Sequence, residues 1–133
     1  MPTLLIADDE ASVRTLIRLA LERDDYRILE ASNGREALAL AREERPDVVL
    51  LDVEMPDLSG YEVCRRLKED PTTDDIAVLM LTAREQETAE PSGGATPPDD
   101  YVVKPFSPLS LDRKVTDLLA NRPRPGLAAA PDW

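Results

Sequence analysis

The sequence contains no histidine and a single cysteine, Cys64, among its 133 residues. The absence of histidine excludes Ser–His and Cys–His catalysis and any metal site that is built on imidazole. A lone cysteine cannot form an internal disulfide, which is typical of a protein from a reducing compartment. Any chemistry of this chain must therefore use carboxylates, hydroxyls, lysine, arginine or the backbone.

Positive charge is also scarce, because 16 Lys and Arg residues stand against 27 Asp and Glu residues, for a net charge of −11. A chain this acidic lacks the basic face that binds nucleic acid or anionic membranes without specificity, so we expect no direct nucleic-acid partner. No apolar run reaches membrane-spanning length, and the N-terminus lacks the basic-then-apolar pattern of a signal peptide. We therefore expect a cytoplasmic protein without membrane insertion.

Short apolar runs recur along the chain, at Thr3–Ala7, Asp47–Leu51, Ile76–Leu81 and Tyr101–Val103. Each run is almost continuously hydrophobic, which is typical of strands buried on both faces of a parallel sheet. A fifth run, Tyr26–Ser32, is more mixed in polarity and suits an edge strand. The sequence therefore predicts a five-stranded parallel sheet.

Patterns of helical spacing lie between or after these runs, over Glu10–Arg23, Asn33–Glu44, Ser59–Glu69 and Leu109–Asn121. We expect Asp9 or Ser12 to cap the first helix. Strands that alternate with helices predict a doubly wound α/β domain, with helices on both faces of the sheet. The domain should cover residues 1–120, and the Pro- and Ala-rich residues 121–133 should form a flexible tail or linker.

The connection between the fourth and fifth predicted strands is unsuited to a long helix. It contains "EPSGGATPP" (Glu90–Pro98), with three prolines and two glycines in nine residues. An interior proline costs a helix about 3 kcal/mol and a glycine about 1 kcal/mol. We therefore expect the helix between strands 4 and 5 to be shortened or absent, and residues Glu87–Pro98 to be mobile or ordered by an intermolecular contact.

Polar residues stand where the predicted strands end, namely Asp8, Asp9, Asp52, Thr82 and Lys104. The carboxyl ends of parallel strands share one edge of a sheet, where ligands bind, so these side chains should converge. Three carboxylates in one crevice repel one another and need a cation, and oxygen ligands suit Mg²⁺. The combination resembles a phosphoryl-transfer site in which the Asp52 carboxylate would be the nucleophile and form an aspartyl phosphate.

Four motifs in this order resemble the receiver domain of two-component response regulators. They are "IADDE" (Ile6–Glu10), "LLDVEMPDLSG" (Leu50–Gly60), "LTA" (Leu81–Ala83) and "YVVKPF" (Tyr101–Phe106). The resemblance implies a flavodoxin-like sheet with the strand order 2-1-3-4-5. It also favours a cis peptide bond between Lys104 and Pro105.

The resemblance also implies roles for the acidic residues and the lysine. Asp52 would be the phosphoacceptor, and Lys104 would contact the phosphoryl group. Asp8 and Asp9 would bind Mg²⁺ together with Asp52 and the backbone carbonyl of Glu54.

Two further pairs of residues would govern the response to phosphorylation. By the resemblance, Thr82 would be the switch hydroxyl and Tyr101 the switch aromatic. Glu54 lies two residues after Asp52, and Arg84 lies two residues after Thr82. We expect Glu54 and Arg84 to pair across the site and to tune the lifetime of the phosphorylated form by hindering the hydrolytic water.

The implied function is that of a phosphoacceptor and not of a turnover enzyme, beyond its own phosphorylation and dephosphorylation. The donor would be a sensor histidine kinase or a histidine phosphotransfer protein, which supplies the histidine that this chain lacks. With no output domain expected after Asn121, the chain should signal through a downstream protein partner or as a phosphorelay intermediate, and a homodimer is a further candidate assembly.

Three alternatives remain open at this point. The tail could be the start of a linker to an output domain, which makes the chain a fragment of a longer regulator. The domain could instead bind a partner without phosphorylation and keep its site for stability. It could also be a magnesium-dependent phosphatase with an aspartyl nucleophile, although such an enzyme normally has a second aspartate at the position of Glu54.

Overall fold

The computed structural model describes residues 2–22, 25–83 and 98–121. Within them the predicted strands and helices are all present, with bounds within two residues of those expected. In chain order they are β1 (Thr3–Ala7), α1 (Ala11–Leu21), β2 (Arg27–Ala31), α2 (Gly34–Glu44), β3 (Val48–Asp52), α3 (Gly60–Glu69), β4 (Ala77–Thr82), β5 (Asp100–Val103) and α4 (Pro108–Asn121).

The strands form one parallel sheet in the order β2-β1-β3-β4-β5, which confirms the predicted order and the edge position of β2. Their register aligns the carboxyl ends, since Ala7 pairs with Ala31 and Leu51, and Thr82 pairs with Val103. The residues that follow these positions therefore emerge at the same edge of the sheet.

The core consists of two apolar clusters, one on each face of the sheet. Alternate residues of a strand point to opposite faces, so Val49 and Leu51 of β3 pack on the side of α2 and α3. Val48 and Leu50 pack on the other side, with α1 and α4. All residues of β3 are buried, as expected for a strand covered on both faces, and the doubly wound prediction is confirmed.

Three of the four described helices begin at side-chain caps, and at the start of α4 the Ser107 hydroxyl accepts a hydrogen bond from the Ser110 amide at 3.0 Å. The side chain of Asn33 accepts a hydrogen bond from the Glu36 amide at the start of α2, and Ser59 accepts one from Glu62 at the start of α3. The predicted cap of α1 by Asp9 or Ser12 is wrong.

The N-cap of α1 is Glu10, whose side chain makes no capping hydrogen bond. Ser12 already lies inside the helix. The carboxylate of Asp8 instead accepts a hydrogen bond from the Glu10 amide at 2.9 Å. The first turn of α1 is thus tied to the end of β1 by an aspartate that the capping prediction did not name.

Residues 84–97 and 122–133 lie outside the described residues. The shortened helix after β4, the mobility of Glu87–Pro98 and the flexible tail therefore stay predictions. Where the description resumes, Asp99 is hydrogen-bonded to β4, since its amide donates to the Val78 carbonyl at 2.9 Å. Among the described helices, none has the length and apolarity needed to cross a bilayer.

Candidate functional site

The sheet brings residues from distant parts of the sequence to one edge. Asp52 and Thr82 are the last residues of β3 and β4, while Asp8 and Lys104 directly follow β1 and β5. The amide of Lys104 donates a hydrogen bond to the Thr82 carbonyl at 2.7 Å, which aligns the ends of the last two strands. The peptide bond between Lys104 and Pro105 is cis, as the family resemblance had favoured.

Lys104 links two of the aspartates. Its Nζ atom lies 3.3 Å from Oδ2 of Asp8 and 3.2 Å from Oδ1 of Asp52. The Asp8 residue is fully buried and Asp52 is 7% exposed. The lysine ammonium therefore sits between two carboxylates that would otherwise repel each other in a poorly hydrated environment.

An open cleft of about 410 Å³ lies above these buried carboxylates. It is lined by Asp9, Glu10, Asp52, Val53, Glu54, Ala83 and Lys104. Asp9, Glu10 and Glu54 are exposed, while Asp8 lies buried beneath them. The cleft is thus acidic at its rim and at its floor, with one lysine among its walls.

The electrostatics of the cleft follow from burial and from these contacts. Burial, and then the charge of Asp8, raise the pKa of Asp52 above the ordinary value, although Lys104 and the Glu54 amide work in the opposite direction. Burial lowers the pKa of Lys104, but the charges and hydrogen bonds of Asp52 and Asp8 outweigh it, so this pKa is raised. Lys104 is therefore a fixed cation at neutral pH.

Acidic residues that could hold a metal ion are grouped at the start of α1. Carboxylate oxygens of Asp8, Asp9 and Glu10 all lie within 4.8 Å of one another. These are hard oxygen donors, which suit Mg²⁺. Glu10 was missed from the predicted ligands, although it directly follows the acidic pair in "IADDE". The predicted roles of Asp52 and of the Glu54 carbonyl as metal ligands stay predictions.

The candidate phosphoacceptor has one constrained oxygen. Both hydrogen bonds that the described residues donate to the Asp52 carboxylate end on Oδ1, from Lys104 Nζ at 3.2 Å and from the Glu54 amide at 3.4 Å. The Oδ2 atom receives no such donor from the described residues. A carboxylate fixed through one oxygen can use the other as a nucleophile.

The remaining candidates stand in different positions. Thr82 is fully buried at the end of β4. Tyr101 lies on β5, half-buried, and packs against the core on the side of α2 and α3. Tyr101 is not among the described residues that line the cleft. Arg84 lies outside the described residues, so its pairing with Glu54 stays a prediction.

Comparison with known proteins points to one family. A family model described as "Response regulator receiver domain" matches residues 4–116. The phosphate regulon transcriptional regulatory protein PhoB of Pseudomonas aeruginosa is 44% identical over 97% of this chain and 56% of its own length. The chain spans about half the length of the curated relatives it matches.

Solved structures show the same similarity. The chemotaxis response regulator CheY4 of Vibrio cholerae matches with a TM-score of 0.76 and 33% identity, over 90% of this chain and 99% of that one. The receiver domain of the sensor histidine kinase PA1611 from Pseudomonas aeruginosa matches with a TM-score of 0.80 and 26% identity, over 90% and 98%. That structure contains a magnesium ion coordinated in its active-site cleft.

Proposed function

This chain belongs to the family of response regulator receiver domains, and from that premise we propose that Asp52 accepts a phosphoryl group from a phosphohistidine. The observation that carries the proposal is the contact of Lys104 with both Asp8 and Asp52 at the floor of an acidic cleft. A nucleophilic carboxylate, a fixed cation and further oxygen donors are the parts that phosphoryl transfer to an aspartate requires.

The transfer is a displacement at phosphorus. Oδ2 of Asp52 donates an electron pair to the phosphorus atom, and an O–P bond forms. The N–P bond of the phosphohistidine breaks, and its electron pair returns to the imidazole nitrogen, which then takes up a proton. Lys104 offsets the charge that collects on the phosphoryl oxygens, and because the cleft already holds this cation, little reorganisation is needed.

The residues present fit a hard divalent cation. Asp8 and Asp9, with Asp52 and the carbonyl of Glu54, would hold Mg²⁺, and Glu10 adds a carboxylate at the same rim. When bound, Mg²⁺ supplies neutralisation of the phosphoryl oxygens and fixes their orientation. The acidic rim repels a phosphoryl group, because both carry negative charge, so a bound cation would be needed before the phosphoryl group approaches.

The donor would be a sensor histidine kinase or a histidine phosphotransfer protein, because the chain has no histidine of its own. The phosphorylated form would act through contact with a downstream protein in the cytoplasm, or as a relay intermediate, with a homodimer as one such contact. Thr82 and Tyr101 would report the phosphoryl group to the surface. The chain would be an acceptor and not a turnover enzyme, and steady hydrolysis of a small phosphate ester would contradict this.

Binding of beryllofluoride, a phosphoryl mimic, tests the assignment of Asp52. Amide NMR spectra with Mg²⁺ should show saturable shifts around the cleft in the wild type and none in Asp52→Asn. Asp70→Asn is a matched control, because Asp70 also accepts a backbone hydrogen bond, from Thr72, but lies after α3 and outside the cleft. Absence of shifts in the wild type would instead favour a module that binds partners without phosphorylation.

The tuning residues can be tested on the phosphorylated protein. Glu54 lines the cleft, which supports a role in hindering the hydrolytic water. Glu54→Ala and Arg84→Ala should each change the rate at which aspartyl phosphate is lost, measured by mass spectrometry of the intact chain. Wild-type lifetimes in both variants would remove this role.

A second candidate is the receiver of a longer transcriptional regulator. It is favoured by the curated relatives, which are named as transcriptional regulatory proteins and are about twice as long as this chain. Immunodetection of the native protein in its own cells would decide between the two. A species much larger than 14.7 kDa would support the longer regulator, and one of that mass would support a receiver that acts alone.

A further inference from the structure

A network of charged side chains connects α1 and β2 to the backbone of the acidic site. Arg14 donates from Nη1 to the backbone carbonyl of Asp8 at 2.6 Å and from Nε to Glu30 at 3.0 Å. Arg18 donates from Nε to the other oxygen of Glu30 at 2.8 Å and from Nη2 to the Ile28 carbonyl at 3.3 Å. One carboxylate thus holds two guanidinium groups, and Arg14 is the one of the two that contacts the site.

Asp8 is fixed at its amide, its carbonyl and both of its carboxylate oxygens. Its amide donates to the Ala31 carbonyl at 3.1 Å. Oδ1 accepts from the Glu10 amide at 2.9 Å, and Oδ2 accepts from Lys104 at 3.3 Å. The bond from Arg14 completes this set. It holds the peptide that joins Asp8 to Asp9, and the orientation of this peptide sets the direction in which the Asp9 side chain leaves the backbone.

We propose that Arg14 is a positioning residue of the cation site, in which Glu30 orients its guanidinium so that it fixes the Asp8–Asp9 peptide. This fixed peptide keeps the carboxylates of Asp8, Asp9 and Glu10 directed at one cation. The role in cation binding rests on the proposed function. The role in fixing the peptide rests on the hydrogen bonds alone.

The charge of Arg14 and its geometry have opposite effects on a cation. A guanidinium near the site repels Mg²⁺, so a purely electrostatic role predicts tighter binding when the charge is removed. A positioning role predicts weaker binding whenever the geometry is lost. Lysine keeps the charge but cannot hold a carboxylate and a carbonyl with the planar fork of arginine. Arg14→Lys therefore separates the two effects.

The experiment compares Arg14→Lys with Arg18→Lys. Arg18 makes an equivalent contact with Glu30, from Nε to the other carboxylate oxygen, but within the described part of the chain it makes no contact with Asp8. Titration with Mg²⁺, followed by amide NMR, should give a dissociation constant roughly ten-fold higher in Arg14→Lys. The constant should be unchanged in Arg18→Lys. Hydrogen exchange of the Glu10 amide in metal-free protein should be faster in Arg14→Lys, because its acceptor, Asp8, loses one of the hydrogen bonds that hold it.

The outcomes separate this inference from the proposed function. Arg14→Lys protein that is folded and binds Mg²⁺ as tightly as the wild type would overturn it. If Arg14→Lys does not fold, Glu30→Gln replaces it, since it loosens Arg14 without removing it, and unaltered binding there also overturns the inference. A wild type that binds no Mg²⁺ would refute the proposed cation site, and the Glu10 exchange rate alone would then decide whether Arg14 positions the peptide.

Discussion

Gly60, the first residue of α3, lies against the backbone that bears the proposed phosphoacceptor. A Cβ atom at this position would lie 2.4 Å from the carbonyl oxygen of Asp52 and 2.9 Å from the sulfur of Met80. Ordinary contacts of a Cβ atom begin at 3.4 Å, so Gly60→Ala requires a displacement of about 1 Å. The Asp52 peptide cannot yield easily, because the next residue, Val53, donates to the Leu81 carbonyl at 3.0 Å.

The magnitude follows from two opposing effects. Overpacking in a close-packed region costs about 1–3 kcal/mol. Replacement of a glycine in a helix returns up to about 1 kcal/mol through backbone entropy. We therefore expect Gly60→Ala to lose about 1–2 kcal/mol of unfolding free energy, with a fall in melting temperature of roughly 5 °C. A 1 Å displacement of a reacting group can lower a rate about 100-fold. The rate of phosphorylation should therefore fall by a much larger factor than the small loss of unfolding free energy suggests.

The assay measures phosphorylation by a small acyl phosphate with Mg²⁺, using mass spectrometry of the intact chain, beside thermal unfolding. Ser59→Ala is the matched control, because it removes the cap hydrogen bond to the Glu62 amide at a cost of about 1 kcal/mol. It leaves the Asp52 contact untouched, so its rate should stay near that of the wild type. Equal rates in Gly60→Ala and the wild type would refute the reasoning, and so would equal loss of rate in both variants.

Three further substitutions test the electrostatics and the backbone. Asp52→Asn should raise the melting temperature of the metal-free protein at neutral pH, because burial and the charge of Asp8 raise the pKa of Asp52 and make its ionised form unfavourable. The gain in melting temperature should vanish in acid, where Asp52 is protonated in the wild type as well. A variant that is less stable than the wild type at neutral pH would contradict this. Asp57→Asn should lower the unfolding free energy at any pH above the ordinary range of carboxyl pKa values. Desolvation raises the pKa of Asp57, but hydrogen bonds from the backbone N–H groups of Arg35 and Gly34 outweigh it and hold this pKa at about 2. The loss of stability should therefore fade as the pH falls towards that value, and a loss that does not depend on pH would argue against it. Arg45→Gly should raise the unfolding free energy by about 0.5–1 kcal/mol, because Arg45 follows the last residue of α2 with a φ of 49°, which glycine adopts without strain. Urea denaturation measures this, and an unchanged urea midpoint would count against it.

The sequence by itself determined the elements and the set of candidate residues. Apolar runs such as Asp47–Leu51 and the helical spacing after them have periods that follow from backbone geometry, so they can be recognised without any partner. The residues at the strand ends, Asp8, Asp52 and Lys104, could be assigned to one edge because parallel strands share their direction. Their chemical types then pointed to a cation and a phosphoryl group.

The tertiary structure decided which of these side chains meet and how each is held. Lys104 contacts Asp8 across 96 positions of the sequence, and no local pattern gives that distance or the full burial of Asp8. The cap of α1 was mispredicted for the same reason. The Asp8 carboxylate accepts a hydrogen bond from the Glu10 amide, and its position depends on where β1 ends in the sheet. Packing between elements likewise produces the hydrogen bond from Arg14 to the Asp8 carbonyl and the close approach of Gly60 to Asp52. Such contacts depend on distances between residues far apart in the chain, which periodicity and propensity do not encode.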